Sequence, residues 1–271
     1  MNYYGFRILP ITGLVHFVLL LGNGSAPAQP SQLRSPIVSD RPGIYCGAQT
    51  VGKGVFHIET GFSYDRLTEA PVSREGWFFP MVLRLGLVQD LELRLKTAGP
   101  GRARTAIGDL GQTESGFSSP VVEVKWKFLD LEETRLAVLL AADLEAGTKA
   151  FRPPRTQPAV NLASDFSLGD SYSLNANLGV ISAWDPDTQV RFAQPFYTIA
   201  LWRSISSPAS LFIETFGTYS HREEKRWQNL INGGLAYLVN GDLQLDVSLA
   251  RGLTSATSDW TLATGISLRF H

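Results

Sequence analysis

Residues 229–271 read NLINGGLAYLVNGDLQLDVSLARGLTSATSDWTLATGISLRFH, and this stretch decides the fold class. Apolar residues alternate in it with polar or small ones, and a period of two indicates β-strands rather than helices. The pair Asn240-Gly241 separates the first two alternating runs, and this dipeptide is the strongest short signal for a β-hairpin. A third run extends from Trp260 to Phe270. The stretch therefore predicts three antiparallel strands, joined first by a tight turn and then by a longer loop.

The same unit recurs over the preceding residues, beginning with the alternating run Val55–Asp65. The chain holds about twelve such runs of roughly ten residues, the length of a tilted strand that crosses a bilayer. Short connections such as Gln89-Asp90 and Gly169-Asp170 alternate strictly with long ones such as Arg66–Trp77 and Ala98–Ser119. Short turns at one end and long loops at the other are typical of outer-membrane barrels.

These features predict an all-β fold over residues 54–271. The expected architecture is a closed, antiparallel, up-and-down transmembrane β-barrel with short periplasmic turns and long external loops. Because lipid does not tolerate an open sheet edge, the last strand must pair with the first. A soluble barrel or a secreted β-sandwich would show the same alternation with its apolar face turned inward. The direction of the apolar face therefore needs a second observation.

The aromatic side chains supply that observation. At the external ends of the predicted strands lie Tyr64, Phe79, Trp184 and Trp260, and at the periplasmic ends lie Phe56, Phe128, Phe166, Tyr172, Tyr237 and Phe270. Two bands of rings separated by aliphatic residues are the girdle pattern of membrane barrels, whereas a soluble core has no reason to sort rings by height. Outer-membrane lipid is thus expected to surround the apolar face.

The residues before the barrel divide into two parts. A basic residue, the apolar run Ile8–Leu21 and the small residues Ala26-Pro27-Ala28 follow the order of an export signal, which predicts a signal peptide over residues 1–28. Residues 29–53 are rich in Pro, Ser and Gly, and we expect an irregular periplasmic lead-in that can tuck into the barrel mouth. The chain has one cysteine, Cys46, so it cannot form an internal disulfide.

Composition and histidine placement exclude several classes of function. The formal net charge of −1 and the pI near 6.4 give no reason to expect a nucleic-acid partner. A lipid hydrolase needs a histidine beside a serine on the lipid face, and His16, His57, His221 and His271 do not lie there. The sequence lacks a Cys/His metal spacing and a Gly-rich phosphate loop. We therefore expect no enzyme activity and no cofactor.

Charged residues on the inward register form two groups. The basic wall comprises Arg84, Arg94, Lys96, Lys125, Lys127 and Arg135, and the acidic wall comprises Glu59, Asp165, Glu214 and Asp246. If the barrel closes in sequence order, the walls face each other and set a transverse field that orients or selects polar solutes. Alternatively, because a barrel of about twelve strands is narrow, the charges form interlocked ladders that fill it. Both interpretations are compatible with the sequence.

Several segments are also similar to a known family. They are Ser39-Asp40-Arg41-Pro42-Gly43, Phe56–Phe62, Leu83–Leu87, Glu133–Val138 and Gly233–Asn240. These strand and turn patterns, spread over most of the mature chain, resemble the outer-membrane transporter family named after the meta-pathway of phenol degradation. The resemblance implies a Gram-negative outer-membrane barrel and the uptake of small molecules, including aromatic or apolar ones.

These observations predict an outer-membrane channel or transporter for the passive uptake of small molecules in a Gram-negative bacterium. The alternative is a structural or adhesive barrel whose external loops, such as Thr218–Gln228, bind a partner while charge ladders close the lumen. The other expected partner is the barrel-insertion machinery. The resemblance implies a terminal aromatic residue for its recognition, and here His271 follows Phe270.

Overall fold

The computed structural model describes residues 35–219, 227–255 and 257–271. The predicted signal peptide, residues 1–28, lies outside the described residues, as do residues 29–34 of the lead-in and residues 220–226 of the loop at Thr218–Gln228.

The described residues form one antiparallel sheet of fifteen strand segments. In chain order these are β1 (Phe56–Glu69), β2 (Val72–Phe78), β3 (Met81–Val88), β4 (Leu91–Thr97), β5 (Pro100–Ile107), β6 (Leu110–Phe117), β7 (Val121–Asp130), β8 (Thr134–Asp143), β9 (Gln157–Ser167), β10 (Tyr172–Asp185), β11 (Val190–Ser204), β12 (Ala209–Tyr219), β13 (Trp227–Asn240), β14 (Leu243–Gly252) and β15 (Trp260–Phe270). A turn of 3-10 helix, Lys149–Phe151, lies between β8 and β9. None of the helices among the described residues is long and apolar enough to cross a membrane.

The sheet closes on itself because β15 pairs with β1. Their register extends from Phe56 opposite Phe270 to Arg66 opposite Trp260. All other neighbours along the circumference are antiparallel as well, so the predicted closed up-and-down barrel is confirmed. Closure leaves the barrel without an open sheet edge, which is the condition for a β-structure in lipid.

Twelve strands make up the circumference. Both β3 and β2 pair with β1, at its beginning and its end, so they form one line along the barrel. Likewise β5 continues β4, since β5 pairs with β2 just as β4 pairs with β3. The hairpin partner of β5 is β6, which leads directly into β7. These extensions raise one side of the barrel at the end with the long loops.

Two segments that the sequence predicts as loops are therefore strands. Arg66–Trp77 contains the end of β1 and most of β2, and Ala98–Ser119 contains the hairpin of β5 and β6. Most of β6 is exposed on both faces. A strand with solvent on both faces has no apolar side, and its sequence cannot show the period of two that identifies a half-buried strand. The β11 strand also runs through Pro195, where the sequence suggests an interruption.

The barrel is apolar outside and polar inside. Leu140, Leu178 and Ile213 have exposed fractions of 60%, 65% and 53%, whereas Lys125 and Glu92 are fully buried. Burial alternates along strands of the barrel wall such as β14, where every second residue faces inward. A soluble barrel would hide its aliphatic residues inside, so this distribution is that of a barrel with lipid outside.

Candidate functional site in the barrel interior

The described part of the lead-in lies inside the barrel. Residues 36–54, called the plug segment here, precede β1 and have no regular secondary structure. Their side-chain and backbone contacts reach strands around the whole circumference: Glu59 on β1, Arg84 on β3, Glu92 and Arg94 on β4, Lys125 on β7, Asp165 on β9, Asn177 on β10, Glu214 on β12, Asp246 on β14 and Ser267 on β15. A segment that touches all sides of a closed barrel must occupy its lumen.

One acidic side chain of the plug segment meets three members of the basic wall. Asp40 Oδ2 lies 2.8 Å from Arg94 Nη1 and 3.8 Å from Lys125 Nζ. Asp40 Oδ1 lies 3.9 Å from Arg84 Nη1. All four side chains are almost completely withdrawn from solvent, so these ion pairs are weakly screened.

The same basic wall binds the backbone of the plug segment. Lys125 Nζ donates hydrogen bonds to the carbonyl oxygens of Gly47 and Gln49, at 2.8 and 3.1 Å. Arg84 donates to the carbonyl oxygens of Val38 and Gln49, both at 3.2 Å. The cations thus neutralise one acidic side chain and satisfy carbonyl groups that no secondary structure pairs.

The acidic wall accepts hydrogen bonds from N–H groups of the same backbone. Glu214 accepts hydrogen bonds from the backbone N–H groups of Ile44 at 2.8 Å and Tyr45 at 2.6 Å. Asp165 accepts one from the N–H of Ala48 at 2.9 Å. The N–H groups of Ile44, Tyr45 and Ala48 therefore point to the acidic wall, whereas the carbonyl groups of Val38, Gly47 and Gln49 point to the basic wall. The two walls fix the orientation of a segment that has no internal ladder of its own.

Asn177 on β10 holds the plug segment between the two walls. Its side-chain oxygen accepts a hydrogen bond from the N–H of Cys46 at 2.7 Å, and its amide nitrogen donates to the carbonyl oxygen of Cys46 at 2.8 Å. The Asn177 side chain thus pairs both backbone groups of Cys46, as a neighbouring strand would in a sheet. Asn177 is buried on the inward face of β10, and its partner lies 131 positions away in the sequence.

Arg41 reaches the acidic wall across a pair of glycines. Its guanidinium donates to both carboxylate oxygens of Asp246, at 3.1 and 3.0 Å. Gly61 and Gly265 are directly opposite each other in the β1–β15 ladder. A Cβ at Gly265 would lie 2.1 to 2.3 Å from the Arg41 guanidinium, so the absence of a side chain there makes room for the arginine.

Acidic residues on the strands offset the remaining charge of the basic wall. Arg84 pairs with Glu92 at 2.7 Å and with Glu59 at 2.9 Å. Arg94 Nε and Glu123 Oε2 are 3.0 Å apart, an ion pair that lacks hydrogen-bond geometry. The structure thus places Glu59, which the sequence groups with the acidic wall, beside the basic one. Charged residues on neighbouring strands thus pair with one another, while the plug segment contacts residues of both groups.

The other members of the basic wall lie near the two ends of the barrel. Lys96 is 3.2 Å from Glu123, and its side chain is 40% exposed. Lys127 pairs with Asp90 at 3.1 Å and with Asp130. Arg135 also pairs with Asp130, at 3.1 Å. The last two cations thus stabilise the short β7–β8 turn.

The plug segment divides the interior into two chambers. The outer chamber, toward the long loops, has a volume of about 240 Å³, and Ile44 and Cys46 line it. The inner chamber, toward the short turns, has a volume of about 330 Å³ and is lined by Val38, Arg41 and Tyr45 of the plug segment. The lining residues of the two chambers do not overlap. A solute that crossed the barrel along its axis would have to displace the plug segment.

Burial and the basic wall set the ionisation of the plug segment. Burial alone would raise the pKa of Asp40, but Lys125, Arg84 and Arg94 together hold this pKa well below its usual 3.8. Burial raises the pKa of the Cys46 thiol to about 11, so the group is a thiol at neutral pH. Arg94 Nη1 donates to this sulfur at 2.8 Å, and the thiol lies 3.3 Å from Asp40.

The ten aromatic residues predicted as girdles have rings that are exposed or half-buried. They are Tyr64, Phe79, Trp184 and Trp260 in one group, and Phe56, Phe128, Phe166, Tyr172, Tyr237 and Phe270 in the other. The rings of Phe56 and Phe270, across the closing pair of strands, have centroids 6.2 Å apart. The guanidinium groups of Arg155 and Arg191 each lie 5.7 Å from the centroid of Trp184.

The histidines and the potential metal ligands are the next residues to place. His57 is buried on the inward face, and neither of its ring nitrogens has a hydrogen-bond partner among the described residues. His221 lies outside the described residues. Within the part of the chain that the structure describes, His, Cys, Asp and Glu side chains form no group that could hold a metal ion.

Comparison with known proteins agrees with the closed barrel. The family model described as MetA-pathway of phenol degradation matches residues 39–270, which span the plug segment from Ser39 and the whole barrel. The chain belongs to this family. This membership confirms the resemblance found in the strand and turn segments. None of the curated proteins is similar to the chain in sequence.

Solved structures with the same fold are outer-membrane barrels. An outer membrane channel from Pseudomonas putida F1 has a TM-score of 0.66 and 14% identity, covering 84% of this chain and 99% of the channel. The NanC porin has a TM-score of 0.53 and 9% identity, covering 79% of this chain and 98% of the porin. The β domain of the Bordetella autotransporter BrkA has a TM-score of 0.53 and 12% identity, covering 80% and 100%. At these identities the likeness is one of fold, and this family member has the fold of a Gram-negative outer-membrane barrel.

Proposed function

We propose that this chain is an outer-membrane channel for the passive uptake of small molecules, with its lumen lined by opposed basic and acidic walls and closed at rest by its plug segment. The observation that carries the proposal is the position of the plug segment between two chambers. A lumen that only needed filling could be filled by strand side chains, as in other narrow barrels. Here a separate segment of the chain fills it.

The way in which the plug segment is held supports a movable closure. Most of its attachments are hydrogen bonds and ion pairs to the walls, and the apolar cluster that includes Cys46 and Ala48 is small. Water can replace such polar contacts one at a time, and each hydrogen bond to a charged group contributes about 1.5–3 kcal/mol net. An apolar plug would instead lose its burial energy all at once on leaving. We propose that solute entry or a voltage displaces the segment toward the short turns.

The relatives and the family description indicate the class of solute. The P. putida structure is that of a channel and NanC is a porin, and the family is described by a pathway of phenol degradation. From these we propose small aromatic or apolar molecules as solutes. No catalytic step is part of this function. Outer-membrane lipid would contact the two groups of girdle rings, and the insertion machinery would recognise the strand that ends at Phe270.

A structural or adhesive role is the second candidate, and one observation favours it. The hairpin of β5 and β6 rises at the long-loop end and exposes Ile107 and Leu110 at its tip, at 58% and 80%. Exposed apolar side chains at a loop tip are suited to contact with another surface. On this proposal the lumen stays closed and the hairpin binds an external partner.

The current through single barrels in planar bilayers distinguishes the two functions. Lys125→Gln removes two hydrogen bonds to the plug segment, while Lys127→Gln, two residues along the same strand, alters only the turn pairs with Asp90 and Asp130. The channel proposal expects larger or more frequent openings for Lys125→Gln and wild-type behaviour for Lys127→Gln. A wild-type barrel and a Lys125→Gln barrel that both carry no current, at any salt or voltage, would favour the structural role.

A further inference from the structure

The outer chamber has an apolar wall with a limited polar part. Its apolar surface comes from Leu139, Ala141, Ala159, Ile181, Phe196 and Phe216, above the floor formed by Ile44 and Cys46. Charged groups in the lining are Lys96, Glu123 and Asp143, of which the first two form an ion pair with each other. Most of the contact area available to an occupant of this chamber is therefore hydrocarbon or aromatic.

Two polar side chains that line this apolar part have unused hydrogen-bonding capacity. Thr198 Oγ1 and Asn161 Oδ1 are buried and have no hydrogen-bond partner among the described residues. Thr198 is only 2% exposed. They lie on β11 and β9, on either side of β10. Buried polar atoms in native proteins are nearly always paired, so these two atoms are available to bond an occupant of the chamber.

A glycine places an aromatic ring beside these acceptors. Gly179 on β10 is opposite Asn161 on one side and Phe196 on the other. A Cβ at Gly179 would lie 2.2 Å from Phe196 Cζ, so the ring occupies the space that a side chain would need. The ring consequently lies across β10, within the lining that Asn161 and Thr198 share. The chamber thus combines an aromatic surface with two acceptors.

From this combination we infer that the outer chamber is a binding site for a small neutral molecule that has a ring-sized apolar body and one hydroxyl group. This inference rests on the proposed function and names the solute class that the channel takes. An apolar cavity of about 150 Å³ in another protein is large enough for benzene, so about 240 Å³ accommodates one substituted ring. The hydroxyl donates to Asn161 Oδ1 or Thr198 Oγ1, and the ring packs on Phe196. A carboxylate is disfavoured because Glu123 and Asp143 line the same space.

The site is tested by comparing ligands that differ in one group. Isothermal calorimetry on the purified full-length barrel in detergent would measure 4-methylphenol, toluene and 4-methylbenzoate. Since one net hydrogen bond corresponds to about fivefold in affinity, 4-methylphenol should bind about fivefold or more tightly than toluene. The benzoate should show no binding. Equal affinities for 4-methylphenol and toluene would overturn the inference without any variant being needed.

Variants then locate the binding. Thr198→Val keeps the side-chain shape and removes the hydroxyl, so it should weaken 4-methylphenol by about fivefold and leave toluene unchanged. Ser173→Ala is the matched control, because Ser173 lines the inner chamber and not the outer one. Cys46 provides a second readout, since an occupant resting on the floor should slow its alkylation. An unchanged alkylation rate at saturating 4-methylphenol, or an equal loss of affinity in both variants, would contradict the site.

The binding assay and the bilayer current fail independently. A barrel that binds 4-methylphenol but never carries current keeps the site and overturns the channel. A barrel that conducts but binds 4-methylphenol no better than toluene keeps the channel and overturns the site.

Discussion

Arg94 Nη1 on β4 lies 2.8 Å from the carboxylate of Asp40 in the plug segment, and both side chains are almost fully buried. Lys125 and Arg84 lie within 4 Å of the same carboxylate. An acidic group of the lead-in is therefore the common partner of three cations from three strands. This relationship joins the lead-in to three strands at once, and it is the point at which we expect a single substitution to disturb closure most.

Replacing Asp40 by Asn should open the barrel. Loss of one partner from a buried ion pair costs at most about 3 kcal/mol here, because Arg84 and Arg94 keep their pairs with Glu59, Glu92 and Glu123. About 3 kcal/mol corresponds to roughly a hundredfold change in the ratio of open to closed states. Single-barrel recordings should show a much larger open fraction for Asp40→Asn than for wild type. Asp109→Asn, in the exposed β5–β6 turn, is the control and should behave as wild type.

Acidification should open the wild-type barrel only at low pH. The basic wall holds the pKa of Asp40 well below 3.8 when the plug segment is in place, and displacement returns it toward that value. A group with a depressed pKa in the closed state stabilises that state fully above its ordinary pKa and loses the effect as pH falls through the depressed one. The contribution of Asp40 to closure should therefore be constant from neutral pH to about pH 4, and its loss should raise the current below that pH. An opening near pH 6 would assign the response to some other group.

Cys46 should report the position of the plug segment. It is the single cysteine of the chain, and burial raises the pKa of its thiol from 9.0 to about 11. A pKa that is two units higher leaves about a hundredfold less thiolate at neutral pH, and the thiolate is the reactive form. We expect maleimide to label the closed wild-type barrel about a hundredfold more slowly than the unfolded chain in urea. Lys125→Gln should label faster than wild type, whereas Lys127→Gln should not.

The closed barrel was predictable because nearly every strand has one lipid face and one interior face. That sidedness produces the alternation in β14 and β15, and it also determines the pairing of Phe270 with Phe56. A strand whose two faces are both in solvent shows no alternation of apolar and polar residues. The exposed strand β6 has no apolar face, so the sequence indicates only a polar loop there.

The plug segment was harder to predict, since irregular backbone has no period and its partners are distant. Arg41 and Asp246 are 205 positions apart, and a single sequence does not show that they meet. The turn-like residues Ser39 to Gly43 suggested an irregular lead-in, but gave no direction for their charges. The sequence does contain one signal, the glycines Gly61 and Gly265 within two strands, because glycine in a strand often marks the close approach of another group. That Arg41 is this group becomes visible only when the β1–β15 register places the two glycines opposite each other.

This glycine pair gives the sharpest test of how the plug segment is held. At Gly265 the three atoms nearest to a new Cβ all belong to the end of the flexible Arg41 side chain, at 2.1 to 2.3 Å. At Gly61 it would meet the backbone oxygen of Thr264 at 2.0 Å, so Gly61→Ala strains the barrel itself. We therefore expect Gly265→Ala to keep the barrel folded and to push the Arg41 guanidinium away from Asp246. The matched control is Gly241→Ala in a tight turn, where a Cβ meets nothing within 4 Å.

Displacement of Arg41 leaves the fully buried carboxylate of Asp246 without its cation, which favours release of the plug segment. The open fraction and the maleimide labelling of Cys46 should both increase in Gly265→Ala, while Gly241→Ala should match wild type. Adding Asp246→Asn tests whether the ion pair is the cause. If it is, the double variant should open no more than Gly265→Ala alone, because both changes remove the same interaction. Additive effects of the two substitutions would mean that Gly265→Ala acts through the barrel wall and not through Arg41.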